Sequence, residues 1–536
     1  MNDASLLPLP RGVTSFRLPI AAAVVGALAL VALFVVVPTL PFQDLPQHDL
    51  VLRASRALRE GATSPFLEVS PHVTFAYSGY LRLARLVDPL VGTGASLTLV
   101  TAAGAFLLPF AVARLAQVTG GSAAWAFVMA LPLTLAWHVR MGFVAYSLGL
   151  DTAIFWIAAT KAYVDRPSRP RGAAVVLLAI ATYLGHPLPW GVAVCGAAAY
   201  GLGASTRRRG APVLAGAVGA TLVLVAWDVT HFAFRQVPET RVTWEPSPLA
   251  FRPATTALAH LVTRSFGIPT ATGLAPIALL ALGLVVALPA ARRARLAPTD
   301  AVTTRLAWAA AWLAFLAPTS YKITWLMGDR LAVFAVVFAM SAASRKFVGK
   351  PEWGPSIFVV VGALGATTVA AVDVSRQAAT VAHVTLPRTS RFPPGRYLTY
   401  RLTDCTDRSY DPVWGDVDPL RSAWAWGADL DAMTPYAFGF SRYLSVVFKG
   451  DVYASRLRAP HEWNVNEVRT KSSREACEAF DGRQVDKARR TQFDGVIVFG
   501  NPDRMPDVAR RVGAAVAFEV APGVVAFSRN SASPTR

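Results

Sequence analysis

Apolar residues run in long stretches through the first two-thirds of the chain and thin out afterwards. The stretches lie near 18–40, 93–116, 122–137, 143–163, 173–185, 189–204, 211–233, 273–291, 303–318, 330–344 and 355–373. A helix crossing a hydrocarbon core about 30 Å thick needs roughly 20 mostly apolar residues, which is the order of these runs. After Asp373 no run reaches that length. The pattern predicts a polytopic all-α membrane domain over 1–374, of about eleven transmembrane helices, and a separate soluble domain over 375–536. The first run, Leu18–Leu40, follows Arg11 and Arg17. It is about twice the length of a signal-peptide core, and no Ala-x-Ala site follows it directly, so it predicts a retained helix.

One stretch decides the topology. Gly172–Ala204 carries Gly185-His186-Pro187-Leu188-Pro189 at its middle. As one helix it would be ~50 Å long, too long for one crossing. As two short helices turning at the prolines it is a hairpin. Only the hairpin puts Arg166/Arg169/Arg171, Arg207/Arg208/Arg209, Arg292/Arg293/Arg295 and Arg345/Lys346/Lys350 on one side, as the positive-inside bias requires. The N-terminus is then cytoplasmic and the C-terminal domain extracytoplasmic. Outer loops 41–92 and 234–272 are long, and shorter ones lie at His138-Val139-Arg140, His186 and Thr319–Asp329.

Composition agrees with a membrane protein. Hydrophobic residues make up 54% and charged residues only 16%, well below the roughly 25% charged of a soluble domain. The net charge of +19 would suggest nucleic acid on a soluble chain. Here the basic residues cluster between apolar runs, so membrane orientation explains them and no nucleic-acid partner is expected. Cys195 lies in an apolar run, while Cys405 and Cys477 lie in the polar tail. Those two would pair if that domain faces an oxidising compartment, and they lack zinc-ligand spacing. Within the tail, Phe493–Gly500, Ala515–Val520 and Gly523–Ser528 read as strands and Asp503–Val512 as a helix, an α/β or α+β module. Phe499-Gly500-Asn501-Pro502 is not a glycine-rich phosphate loop, and neither a Gly-x-Ser-x-Gly elbow nor a His-Glu-x-x-His motif is present.

The chemically varied sequence lies on the outer side. Pro41–Leu50 contains Asp44, His48 and Asp49, and the following residues are amphipathic. Leu50, Val51, Ala54, Ala57 and Leu58 share one face, and Arg53, Arg56 and Arg59 the other. Such a helix lies at a membrane–water interface, where partial desolvation raises a carboxylate toward useful base strength. Asp44-Leu45-Pro46-Gln47 equally fits a capping box. Asp151 falls inside a helix, where an unpaired charge is costly, so it should face the bundle interior with a partner or a proton. Asp228 and His231 are spaced to bond each other. Trp244, Tyr77, Tyr80 and Trp325 suit either stacking on sugars or an aromatic belt. A divalent metal held by Asp44, His48, Asp49 and His186 can be drawn, but nothing in the spacing demands it.

A first helix, a long acidic outer loop, many further helices and an exported C-terminal domain resemble the GT-C superfamily of membrane glycosyltransferases. Asp44-Leu45-Pro46-Gln47-His48, Gly142–Leu150 and Gly185-His186-Pro187 are similar to motifs in bacterial membrane proteins of that architecture. The family often has two adjacent acidic residues in this loop; here they are five apart. The resemblance implies a bacterial cytoplasmic-membrane enzyme that moves a sugar from a polyprenyl-phosphate donor to a glycan, lipid or protein acceptor at the outer face; no cofactor is certain, and a divalent metal is possible but not indicated. It implies Asp44 as base, with Asp49 second and His48 beside them. Arg140, Lys322 and Arg330 are the implied partners of the donor phosphate, although interfacial anchoring explains such residues too and Asp329 is a local partner for Lys322 or Arg330. His186 and Trp244 are implied substrate contacts. A transporter or flippase, and a non-catalytic membrane scaffold presenting the exported domain, are the alternatives.

Overall fold

The computed structural model describes residues 17–37, 40–42, 44–64, 67–69, 74–233, 247–250, 254–267, 273–286, 298–318, 320–322, 324–325, 327–348 and 353–384, and in the tail 395–402, 432–433, 446–448, 495–500, 516–521 and 524–528. Each of the eleven apolar runs carries a helix. In chain order the helices are α1 (Arg17–Val36), α2 (Leu45–Arg59), α3 (Gly79–Val91), α4 (Thr93–Val118), α5 (Ala123–Ala130), α6 (Trp137–Arg140), α7 (Val144–Asp165), α8 (Arg169–Gly185) and α9 (Pro187–Gly201). They continue as α10 (Arg207–Ala233), α11 (Ala254–Ser265), α12 (Leu274–Val286), α13 (Pro298–Leu316), α14 (Met327–Ala343) and α15 (Trp353–Val384). Among the described residues six helical segments are long and apolar enough to cross a membrane, and two shorter apolar helices, Leu274–Val285 and Ala301–Leu316, accompany them. Outward-facing Val25, Leu28, Val35, Val223, Trp308 and Leu316 are exposed in the isolated chain. Exposed apolar side chains along whole helices suit lipid as the surrounding solvent, since a helix satisfies its own backbone there.

The centre of the bundle is the segment Ala123–Arg140, the most buried of the candidate crossings. Pro132 cannot donate to the helix, and the chain tightens into a 3-10 turn over Leu131–Leu135 before α6. Trp125, Val128, Met129 and Leu133 pack there against Tyr146, Leu150 and Ile154 of α7 and Phe334 and Phe338 of α14. A second cluster joins Leu30 and Phe34 of α1 to Phe42, Leu45, Tyr80, Leu81, Val139 and Val144. It places the start of α2 beside the α6–α7 turn.

The hairpin expected at Gly185-His186-Pro187 is present, as α8 and α9 meeting at His186. Its turn lies directly on α7. A Cβ on Gly185 would sit 2.7 Å from the Gly149 Cα and 2.8 Å from its nitrogen, closer than any side chain tolerates.

Three sheets involve the loops and the tail. The strands are β1 (Leu67–Val69), β2 (Ser247–Ala250), β3 (Ser320–Lys322), β4 (Thr324–Trp325), β5 (Gly395–Leu402), β6 (Ala432–Met433), β7 (Val446–Phe448), β8 (Gly495–Gly500), β9 (Val516–Ala521) and β10 (Val524–Ser528). The tail sheet has the order β6-β5-β8-β10-β9, with β5 parallel to β6 and β8 and the β8-β10-β9 set antiparallel. Strands β2-β3-β4 form an antiparallel sheet from the segments that follow α10 and α13. Strand β1 pairs antiparallel with β7, joining the loop after α2 to the tail.

Gly185→Ala should lower stability by about 1–3 kcal/mol, the usual cost of forcing volume into close packing. Thermal unfolding in detergent, followed by tryptophan fluorescence, measures it. Gly191→Ala, where nothing lies within 4 Å of the added carbon, is the control.

Candidate functional site

The three motifs singled out in the sequence converge. Gly142 has φ +76, and a Cβ there would lie 2.8 Å from the amide nitrogens of both Asp44 and Leu45. Only glycine lets the α6–α7 turn approach the start of α2 so closely. The Asp44 amide donates to the Met141 carbonyl at 3.1 Å, and its own carbonyl accepts from Gln47 and His48 at 3.1 and 3.3 Å. Asp44 therefore occupies the N-cap position. Its carboxylate, however, makes no cap hydrogen bond to the first turn, so the capping-box reading does not hold.

His48 acts as a latch. Its Nδ1 lies 2.5 Å from the Tyr80 hydroxyl, and the ring also bonds the Gly142 backbone. Burial pushes this imidazole down to about 3, the Gly142 bond only partly opposing it. The ring is neutral at physiological pH, and a group so engaged is not a proton shuttle. Asp49 is buried and pairs with Arg53 at 2.8 Å within α2. Its second oxygen finds no hydrogen-bond partner among the described residues. The candidate acids thus differ: Asp49 is tied into its own helix, whereas half-buried Asp44 lies within electrostatic reach of Arg330.

Arg330, at the start of α14, is the hub. Its guanidinium lies 4.4 Å from the Phe143 ring centroid and 5.6 Å from that of Tyr146, which stabilises the cation without neutralising it. Its Nη1 is 3.2 Å from Nε2 of His186. The Tyr146 hydroxyl donates to the Arg330 carbonyl and fixes the backbone there. Tyr77, at φ +61 the one non-glycine residue with positive φ among the described residues, packs edge-on against His186 at 4.5 Å. Such conformations are costly and persist where the surroundings enforce them. Here Asp228 does so. It accepts from the backbone amides of Phe75 and Ala76 at 2.9 Å each and from the Tyr183 hydroxyl at 2.8 Å. The expected Asp228–His231 bond is absent, because His231 stacks on Trp227 instead.

The other expected cations part company with Arg330. Buried Arg140 is paired with Asp373 of α15 and donates to the Gly267 carbonyl at 2.6 Å. It is a tether between helices rather than an available cation. Asp329 pairs with Arg264 at 2.6 Å. Lys322 lies in β3, but its side chain is outside the described residues, as are Trp244, Cys405 and Cys477. Asp151 is buried and neither carboxyl oxygen has a hydrogen-bond partner, so it does face the interior. The drawn metal set is not assembled: among the described residues no group of three His, Cys, Asp or Glu is placed to hold an ion, since His48 is turned toward Tyr80. Sequence reasoning missed His138, buried edge-on against Tyr146 at 5.3 Å, and Asp373. The signal for Asp373 was present, since a carboxylate in the last apolar run needs an interior partner.

A cleft of about 770 Å³ opens between α1 and α15, lined by Leu30, Leu33, Val37, Leu364, Thr367 and Arg376 among others. It is the size of a small-molecule pocket and ends at Val37, just ahead of the loop that carries Asp44.

No protein-family model and no curated protein sequence matches the chain. The crystal structure of ArnT from Cupriavidus metallidurans in the apo state is similar over 96% of this chain and 99% of its own, with 14% identity and a TM-score of 0.51. A structure of the same protein bound to undecaprenyl phosphate gives 12% identity and a TM-score of 0.49 over 97% and 99%. At such identity the likeness to the apo structure establishes the fold alone: the chain shares the overall architecture of that structure.

The His48 latch sets a pH dependence. A histidine lowered on folding stabilises fully above its unfolded value near 6.5 and loses that contribution as pH falls toward about 3. At 1.36 kcal/mol per unit, the loss between about pH 6.5 and about pH 4.5 is about 2 kcal/mol. Thermal unfolding should therefore become less pH-dependent over this range in His48→Gln than in the parent chain.

Proposed function

We propose that this chain is a multipass glycosyltransferase of the bacterial cytoplasmic membrane, transferring a sugar from a polyprenyl-phosphate donor to an acceptor at the outer face. One observation carries the reading: the loop acid Asp44, which makes no cap hydrogen bond to its own helix, lies in the field of a half-buried arginine that no carboxylate pairs with at ion-pair distance among the described residues. Transfer needs both. The acceptor oxygen attacks the anomeric carbon, its proton passes to Asp44, and the bond from that carbon to the phosphate oxygen breaks. Arg330 stabilises the charge growing on the departing polyprenyl phosphate. Asp49 stands behind Asp44 as a helix-internal ion pair, and Arg140 as a structural cation. The apolar cleft between α1 and α15 supports a lipid-borne donor, whose tail needs such a surface. The acceptor is a glycan, lipid or protein hydroxyl.

Asp44→Asn keeps the shape and removes the base. It should lower transfer from a lipid-linked sugar by about 10²–10⁴-fold with an unchanged thermal midpoint. Transfer at the parent rate would remove Asp44 as base. Substrate flux in proteoliposomes without a covalent product would favour a transporter, and neither activity, with a stable co-purifying partner, a scaffold.

A further inference from the structure

His186 is placed in a contradiction that a ligand would resolve. Its Nδ1 accepts from the Leu188 amide at 3.0 Å and caps α9. A neutral imidazole has one lone pair, so Nε2 must then carry the hydrogen. Nε2 faces Arg330 Nη1 at 3.2 Å, and a guanidinium offers only donors. Two N–H groups therefore point at each other. Were the ring charged, both of its contacts would be donor to donor. It is neutral: burial first, and then the Arg330 charge, push this imidazole well below the usual histidine range.

Among the described residues no other hydrogen bond is made by His186 Nε2 or Arg330 Nη1. The Tyr146 hydroxyl is engaged with the Arg330 carbonyl. Arg330 Nε and His138 Nδ1 are both buried without a hydrogen-bond partner. His138, only 1% exposed, lies in the field of Arg330, and its ring and that of His186 flank Tyr146 at 5.3 and 5.5 Å. Two facing donors and, among the described residues, two unsatisfied nitrogens thus lie around Tyr146. Buried polar groups rarely stay unpaired in this way without a role.

We propose that His186 Nε2 and Arg330 Nη1 are the two arms of an oxyanion clamp, which takes one oxygen of a lipid-borne phosphate between them, with His138 beside it. The entering oxygen accepts both hydrogens and turns a repulsive contact into two charge-assisted bonds. This rests on the reading of the site as the seat of the donor phosphate and adds to it that a neutral histidine is a binding residue there, not a base.

The test uses the purified full chain in detergent, titrated calorimetrically with a polyprenyl phosphate, the matching polyprenol and inorganic phosphate. The parent chain should prefer the phosphate lipid to the alcohol. His186→Asn retains an acceptor near the Nδ1 position for the Leu188 cap but loses the Nε2 arm. Its affinity for the phosphate lipid should fall roughly 10–100-fold, the range for a hydrogen bond to a charged group, with polyprenol binding unchanged. His186→Gln, whose amide nitrogen reaches the Nε2 position, should retain most of the affinity. In the selectively ¹⁵N-labelled parent chain, the His186 Nε2 resonance should shift on adding the phosphate lipid, which reads the contact even if a variant folds poorly. Parent-like affinity in His186→Asn, or equal loss in both variants, overturns the clamp and leaves a helix cap. His186-dependent binding of inorganic phosphate alone overturns the lipid assignment. A parent chain that does not distinguish phosphate lipid from polyprenol overturns the donor-phosphate reading itself.

Discussion

Backbone meets backbone at two glycines, and the position of every group in the site follows from those contacts. Gly142 brings the α6–α7 turn against the first amides of α2. Gly185 brings the α8–α9 turn against Gly149 of α7. A methyl group at either place would have to displace main chain, which dense interiors resist. The first contact sets Asp44 and the His48 latch; the second sets His186 beside Tyr146. Arg330 completes the arrangement from α14, its carbonyl held by Tyr146.

Within an apolar bundle each charge needs an account, and the two arginines of this region receive opposite ones. Arg140 is neutralised by Asp373 and a backbone carbonyl. Removing one partner of such a pair leaves an uncompensated charge, so it serves architecture. Arg330 is surrounded instead by the faces of Phe143 and Tyr146 and by the edge of an imidazole. Aromatic faces hold a guanidinium in place while its field remains available to an anion. Arg264 with Asp329, and Arg53 with Asp49, repeat the Arg140 solution. Arg330 is the exception among these four, and the proposed chemistry rests on it.

The apolar runs were legible because a membrane demands uniform hydrophobicity over a fixed length. The proline hairpin was legible too, since charge asymmetry and proline geometry agreed. Helices α3 and α11 were hidden inside the long segments between apolar runs, because amphipathic segments of 13 and 12 residues are too short to read as crossings. The choice among Arg140, Lys322 and Arg330 was not legible. The partner that removes Arg140 lies 233 residues away, and no local pattern carries that distance. Asp44 and Asp49 were likewise equal in sequence, until the i, i+4 pairing with Arg53 engaged one of them. His138 looked like a loop residue, because nothing around it in sequence foretold that Tyr146 and Arg330 would close over it.

The pairing of β1 with β7 has a consequence for how the molecule is assembled. The stretch between α2 and α3 borrows its only sheet partner among the described residues from a part of the chain that the ribosome delivers much later. The helices can insert one after another as they emerge, but this clasp must wait for the tail. Contacts between distant segments are slow to form because the intervening chain must first be closed into a loop. A nascent chain that has completed its bundle would therefore still lack this pairing, and the strand after α2 would be the last to gain its partner.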